Sequence, residues 1–311
     1  MYNSYIKTVS LDIRQVIFYY KNNYLTYVKC KKNGGTSMKV IREKQDLTYL
    51  TWTKIRNSSG TAGSFLKAYT ELSGEKTYYK LSNYDAYKGI VGHECVNEII
   101  VDRLLSILGI EHLDYDLIHA DVRIEDKVHS TYLCASKDFK EKGDSKIALD
   151  AFYQVERMEN ESPMEFCVRQ GWEDYIYTML VVDFLILNRD RHGANIEVLR
   201  NAKTKTVRLA PLFDHGLSLF FHCIDEKEYL EMDVMEDKKV QCFVGGNSVV
   251  ENLKLIPREK MPVFHSLKKA DKEFLFKDLD DVISQELQDK IWKMIFVRWN
   301  YYEDFCNQRC K

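Results

Sequence analysis

Residues 183–195 read DFLILNRDRHGAN, and residues 209–218 read LAPLFDHGLS. Upstream of the first stretch, Tyr175, Ile176, Met179, Leu180, Asp183, Phe184 and Leu187 fall along one continuous helical stripe. This spacing predicts a buried helix over 172–187 that delivers the polar loop Asn188-Arg189-Asp190 at its exit. After Asn195 the chain predicts a β-hairpin, with a short strand over 207–210, and then the turn Leu212-Phe213-Asp214-His215-Gly216.

Asp, Asn and Gly are ordinary turn residues, so either polar loop alone could be a plain connection. Their order and spacing carry more. Asp190 and Asn195 stand five positions apart and are followed by a Phe-Asp-x-Gly turn, the arrangement of a kinase catalytic loop and its metal-binding turn. Phosphoryl transfer needs a carboxylate to orient the acceptor hydroxyl, oxygen ligands for a divalent cation, a cation on the nucleotide phosphates and a covering loop. Asp190 suits the first task, taking the hydroxyl proton late in transfer. Asn195 and Asp214 suit the second, holding Mg2+ against the β- and γ-phosphates of ATP with hard oxygen donors. A competing arrangement places His192, His215, Asp190 and Asp214 around a transition metal for hydrolytic chemistry. It leaves Asn195 and Lys80 without a task, and the two histidines, together with Arg191, are read as loop braces.

Lys80 lies mid-strand in KTYYKLS (76–82), eighteen residues before Glu98 on a predicted helix over 92–108. A strand lysine paired with a helix glutamate anchors α- and β-phosphates. Glu94, one turn away, competes with Glu98, which is preferred. The helix carries Val96, Ile99, Ile100, Leu104 and Leu108 at three- and four-residue spacing and closes on Gly109. Residues 58–64, with Ser58, Ser59, Gly60, Thr61, Gly63 and Ser64, are small enough for backbone N–H groups to approach phosphate, although they match no established phosphate-loop pattern.

Further strands are predicted within 17–30, as a hairpin around Lys21-Asn22-Asn23, and at 48–55, 115–120 and 130–135, while 31–47 reads as polar connection. The first 135 residues therefore form a sheet with one main helix, and helix dominates beyond. Leu287, Ile291, Met294, Ile295, Arg298 and Tyr302 line one side of a closing helix.

With 311 residues and 45% hydrophobic content, the chain can build a substantial core. Its 45 Lys and Arg nearly cancel 47 Asp and Glu, for a net charge of -2, so no global field recruits nucleic acid or an anionic membrane. Eight cysteines without a C-x-x-C pair fit reduced thiols in a cytoplasmic setting rather than a disulfide framework or a zinc site. The N-terminus lacks a secretory pattern, and the longest apolar run, 179–187, is interrupted by Asp183 and too short to span a bilayer.

The stretches at 183–195 and 209–218 together resemble HipA-like serine/threonine kinases. There the His follows the catalytic Asp, whereas in ordinary protein kinases and aminoglycoside phosphotransferases it precedes it. Asn97-Glu98 with LLSILGI (104–110) is similar to the same family's Asn-Glu helix. The resemblance covers roughly residues 56–218. It implies an α+β, two-lobed protein-kinase-like fold, divided into 1–138, mainly antiparallel sheet with one main helix, and 139–311, mainly helical. ATP would lie between the lobes, with a hinge strand within 132–138.

The resemblance further implies Ser/Thr protein acceptors and autophosphorylation of a loop serine, here Ser58, Ser59 or Ser64. The chain is too short for the extra N-terminal subdomain of larger toxin members and resembles the compact, cell-translocating kinase type. That leaves an antitoxin or a host protein as partner, and a cytoplasmic or host-delivered location. Two alternatives stay open: a lipid or small-molecule kinase, and a nucleotide-binding pseudokinase or toxin–antitoxin interaction module. Residues 219–311 carry no assignable motif.

Overall fold

The computed structural model describes residues 17–21, 24–28, 40–53, 65–221 and 226–309. The chain divides into two compact units, 1–37 and 38–311. In the first, β1 (Ile17–Lys21) and β2 (Tyr24–Val28) pair antiparallel, Ile17 opposite Val28 and Lys21 opposite Tyr24. Their Tyr, Ile, Leu and Val content favours this hairpin, as the sequence predicts.

The second unit opens on a five-stranded sheet in the order β3 (Val40–Asp46), β8 (Asp116–Ile124), β9 (Lys127–Lys137), β5 (Glu75–Leu81), β4 (Lys67–Leu72). Every pair is antiparallel except β3 with β8. Between β5 and β8 the chain makes a two-residue ladder of β6 (Tyr84–Asp85) and β7 (Gly89–Ile90), then α1 (Glu94–Leu108). Gly109 ends α1 at φ 76°, the left-handed conformation that glycine adopts without a Cβ penalty.

Side-chain alternation splits the sheet into two faces. Leu81, Leu133, Val122 and Ala120 pack with Leu47, Leu50 and Leu66 on one face. Leu117 and Cys134 face α1 and join the main core. α1 is buried on nearly every side, and besides the apolar positions anticipated it also buries Asn97, Glu98, Asp102 and Arg103.

Two expectations fail here. Residues 48–53, the described part of the 48–55 stretch, form no strand. Asp46 Oδ1 accepts hydrogen bonds from the Thr48 N–H at 3.0 Å and its hydroxyl at 2.6 Å, a local turn that competes with strand geometry, and Thr53 makes only an isolated bridge with Lys67. The polar 31–47 segment instead supplies β3, whose Arg42, Glu43 and Lys44 are exposed at the sheet edge, where charge is tolerated.

Past the sheet, helix dominates. α2 (Leu149–Glu156) follows β10 (Asp144–Ala148), and α3 (Pro163–Arg169) starts on a capping box between Ser162 and Glu165. α4 (Glu173–Ile186) is the helix read from the 172–187 stripe. β11 (Asp190–Arg191) pairs parallel with β14 (Gln241–Cys242), while β12 (Glu197–Asn201) and β13 (Thr206–Leu209) form the anticipated hairpin, with β10 on its other edge.

The remainder is α5 (Glu226–Glu231), α6 (Val249–Lys254), α7 (Asp271–Leu275) and the long α8 (Gln285–Arg309). α8 explains what the motif-free segment 219–311 does. Its Arg298, fully buried, donates to the carbonyls of Phe184 (2.9 Å), Val234 (2.8 Å) and Glu236 (2.8 Å). It thereby fastens the C-terminal turn of α4, the helix that delivers the Asp190 loop. Burial pushes the Arg298 guanidinium down to about 10, against the pull of Asp237 and Asp233.

Candidate active site

The exit of α4 is shaped by Leu187, which closes the helix at φ 50°. A bulky residue there is strained, and full burial of Leu187 holds it. Asn188 then donates to Asp183 at 2.8 Å and accepts from the Asp190 N–H at 3.2 Å, setting the start of the loop. Arg191 is the central brace. Its guanidinium grips both carboxylate oxygens of Asp183 at 2.9–3.2 Å and donates to the carbonyls of Asn195 (3.3 Å) and Phe213 (3.0 Å). One buried side chain thus ties the Asp190 loop to the Asp214 turn, with the forked geometry that suits guanidinium.

Asn195 closes the loop by donating from Nδ2 to the Asp190 carbonyl at 2.7 Å and, at 3.4 Å, to its carboxylate. Its amide oxygen accepts no hydrogen bond among the described residues. His192 accepts from the Ala194 N–H at 3.2 Å and sits 3.6 Å from Asp190. Gly193 has no room for a side chain: a Cβ there would lie 2.5 Å from Asp150 Cβ on α2. Burial pushes the Asp190 carboxyl above its ordinary value; His192 pulls it back and the like charge of Asp214 adds to the rise.

The second loop is held from α1. Asn97 Nδ2 donates to the carbonyls of Gly216 (3.1 Å) and Ser218 (3.0 Å), and Glu98 accepts from the N–H groups of His215 (2.8 Å) and Gly216 (3.0 Å). The Asn97-Glu98 pair therefore specifies the backbone of the turn. Asp214 itself has φ 58°, an uncommon conformation for a non-glycine residue and a frequent one at functional turns.

Lys80 joins the parts. Its ammonium donates to Glu98 at 2.9 Å and to Asp214 at 2.5 Å. Burial disfavours the ammonium, but these two carboxylates outweigh it and hold Lys80 well above its ordinary value. Burial likewise disfavours the Asp214 carboxylate, which Lys80 and then Lys67 nevertheless hold far below the usual range. Glu98, not Glu94, is thus the partner of Lys80; Glu94 accepts from the Asn83 N–H instead.

One cavity of about 780 Å3 collects these groups: Lys80, Asp190, His192, Asn195 and Asp214 all line it. Its other end is walled by Ser136, Lys137, Asp138 and Phe139, at and just beyond the end of β9, with the Phe139 and Phe213 rings 5.6 Å apart. The aromatic faces suit a planar base, and the lysine ammonium groups suit phosphates. Lys67, directly opposite Lys80 in the β4–β5 ladder, also lines the cavity. Sequence spacing gave no hint of it, because β4 followed a segment without strand signals. The role of Asp183 was likewise hidden, since it read as a polar interruption of an apolar run, and Asn97 stood out only through the family resemblance, without its contacts to the Gly216 and Ser218 carbonyls.

The His/Asp metal cluster does not form. His215 is buried beside Glu98, 3.9 Å away, and burial together with the cations Arg191 and His112 keeps its imidazole neutral. Among the described residues, Asp102, His112 and Asp114 are the group spaced to hold a metal. Asp102 and His112 are already engaged by hydrogen bonds there, His112 with Asp102 and Ile110, and Asp102 with the Tyr115 N–H. The proposed phosphate loop, Ser58, Ser59, Gly60, Thr61, Gly63 and Ser64, lies outside the described residues.

No protein-family model matches the chain. A search of curated proteins likewise finds no match. Among solved structures, the chain is similar to the Helicobacter pylori proinflammatory kinase CtkA, with TM-score 0.55 and 14% identity over 86% of this chain and 98% of that one. HipA from a Shewanella oneidensis MR-1 toxin–antitoxin complex with HipB and operator DNA aligns at TM-score 0.45 and 14% identity, covering 92% of this chain and 76% of that one. WaaP, solved in complex with acyl carrier protein, aligns at TM-score 0.34 and 12% identity, covering 85% and 90%. The first of these likenesses carries the fold alone: this chain has the α+β kinase-like fold of CtkA, an antiparallel-rich N-terminal sheet followed by a helical region.

Proposed function

We propose that this chain is a magnesium-dependent phosphotransferase that moves the γ-phosphoryl group of ATP to a serine or threonine hydroxyl of a protein. The observation that supports it is the bridge of Lys80 between Glu98 and Asp214 on the wall of the cavity that Asp190 and Asn195 share. The lobes would divide near Asp138, with the base against 136–139 and the phosphates toward Lys80.

An ammonium has three donors. Two are taken by Glu98 and Asp214, and the third is available to the α- and β-phosphates. The Asp214 carboxylate and the uncommitted Asn195 amide oxygen are hard oxygen donors, a set that fits magnesium. Bound there, the ion would neutralise charge on the β- and γ-phosphates. Asp190, held by Asn195 and the Arg191 brace, would orient the acceptor hydroxyl and accept its proton as the phosphoryl group arrives. Its raised pKa suits that task, because a better base keeps the proton more readily.

On the same reading, a serine among Ser58, Ser59 and Ser64 is autophosphorylated, and the added charge of about −2 lowers activity by repelling the nucleotide phosphates. The partners are a protein acceptor and an antitoxin or host protein, and free cysteines fit a cytoplasmic setting. No described helix is long and apolar enough to cross a membrane. Phosphosite mapping after incubation with magnesium and ATP tests the acceptor class. Phosphoserine or phosphothreonine supports it, and wild-type phosphate incorporation after substitution of all three loop serines ends the autophosphorylation proposal. Tight ATP binding without any phosphopeptide favours a lipid or small-molecule acceptor or a pseudokinase.

A further inference from the structure

Lys80 and Cys134 face each other in the β5–β9 ladder, so their side chains leave the same face of the sheet, the one that α1 covers. The first turn of α1 brings Cys95 to the same place. Its thiol donates to the Lys80 carbonyl at 3.0 Å, and the Cys134 sulfur lies 3.8 Å from that same oxygen. Both sulfurs thus lie against one carbonyl oxygen, and neither is in a disulfide. Each is 1% exposed, but Cys134 lines the cavity assigned to nucleotide, which gives a small polar reagent a route to an otherwise buried pair.

We propose that Cys95 and Cys134 form a reversible oxidation site, which a peroxide-class oxidant converts to a disulfide that weakens nucleotide binding. The effect on nucleotide rests on the phosphotransferase reading; the oxidation site does not. In the first step one thiolate attacks the O–O bond of hydrogen peroxide, gains an oxygen as sulfenic acid, and the departing hydroxide takes the thiol proton to become water. The second sulfur then displaces that oxygen as a second water while the S–S bond forms, so two thiols and one peroxide give one disulfide and two waters.

A disulfide requires a sulfur separation of about 2.05 Å, well inside thiol–thiol contact. Closing that gap draws the first turn of α1 toward β9. Glu98 lies one helical turn from Cys95, and Lys80 lies between the two sulfur-bearing elements, so the phosphate-binding pair is displaced with it. The chemistry is also selective. Burial disfavours a thiolate at Cys95, but hydrogen bonds from Cys134 and Ser82 and the Lys80 charge outweigh it and lower its pKa. Burial, with the nearby Glu161 carboxylate, pushes Cys167 up to about 12, and burial, with Asp183, pushes Cys242 up to about 11, which leaves them poor nucleophiles.

The test treats the full-length chain with hydrogen peroxide, alkylates remaining thiols under denaturing conditions and maps peptides, beside binding of a fluorescent ATP analogue with magnesium. The expected result is a Cys95–Cys134 linked peptide and roughly tenfold weaker nucleotide binding, restored by dithiothreitol. Cys95→Ser should keep its affinity through the treatment, and Cys134→Ala is the second variant should the first fail to fold. Both cysteines alkylated after peroxide, a linked peptide with unchanged affinity, or equal loss in Cys95→Ser would each overturn the proposal. Reduced protein that binds no nucleotide yet forms the linked peptide sinks the phosphotransferase reading and leaves the oxidation site standing.

Discussion

On the phosphotransferase reading proposed above, Asp190 is the residue that orients the acceptor hydroxyl. Asp190→Ala removes the group that orients the acceptor while leaving Lys80, Glu98 and Asp214 in place. We expect kcat to fall by about 10²–10⁴ with nucleotide affinity nearly unchanged, read from parallel transfer and binding assays. Because Asp190 must be deprotonated to act and its pKa is raised from the ordinary 3.8, kcat/KM should rise with pH through a midpoint above that value. His192 is a neighbour that lowers the Asp190 pKa, so His192→Gln removes that lowering. The acid limb of the variant should move to higher pH; an unmoved or lowered limb would contradict the assigned neighbours. Asp190, His192, Asn195 and Asp214 stood together in the sequence by order and spacing, and one cavity collects them. Arg191 was legible as a brace, but its partner Asp183 was not, since a buried carboxylate inside an apolar helix looks like an interruption until the arginine that neutralises it is seen.

Among the elements, α1 does two jobs, and both can be probed. Glu98→Ala leaves the His215 and Gly216 N–H groups and one side of Lys80 without their buried acceptor, which should cost about 3 kcal/mol in denaturant unfolding and weaken nucleotide binding as well. At the other end of the helix, His112 has an acceptor at each ring nitrogen, Asp102 Oδ1 and the Ile110 carbonyl, both at 2.6 Å. Both nitrogens must carry hydrogen, so the folded protein prefers imidazolium; burial opposes the charge, and Asp102 raises the pKa past that opposition. A raised folded pKa means stabilisation that is complete below the unfolded value of about 6.5 and is lost as pH climbs through the folded value. Thermal unfolding of the wild type should therefore weaken over that window relative to His112→Gln, and parallel pH profiles would refute the pairing. The helix itself was readable from its apolar spacing, whereas β3 was not. An edge strand can expose Arg42, Glu43 and Lys44, so it carries no alternation to read, and the strand-like start at Thr48 lost to a turn that a single aspartate side chain could stabilise.

Over the whole molecule, the sheet presents Lys67 and Lys80 to the cavity, while the region beyond it presents Asp190, Asn195 and Asp214 beside Lys146, Arg189 and Lys239. Lys67 and Lys80 come from adjacent strands, and Asp190, Asn195 and Asp214 from loops braced by Arg191 and, through α4, by Arg298 on the last helix. This accounts for the silence of the C-terminal segment in the sequence: its contribution is made through backbone carbonyls, which have no sequence signature. The HipA-like resemblance rested on local motifs, and the CtkA-like fold extends beyond them over 86% of the chain.

The most direct test of the central claim incubates the wild type, Asp190→Ala and Asp214→Ala with magnesium and γ-labelled ATP and counts label transferred to protein. Label on the wild type that both substitutions abolish, and that chelation of magnesium also abolishes, is the predicted result. Wild-type protein that neither binds nor consumes ATP under these conditions would contradict it.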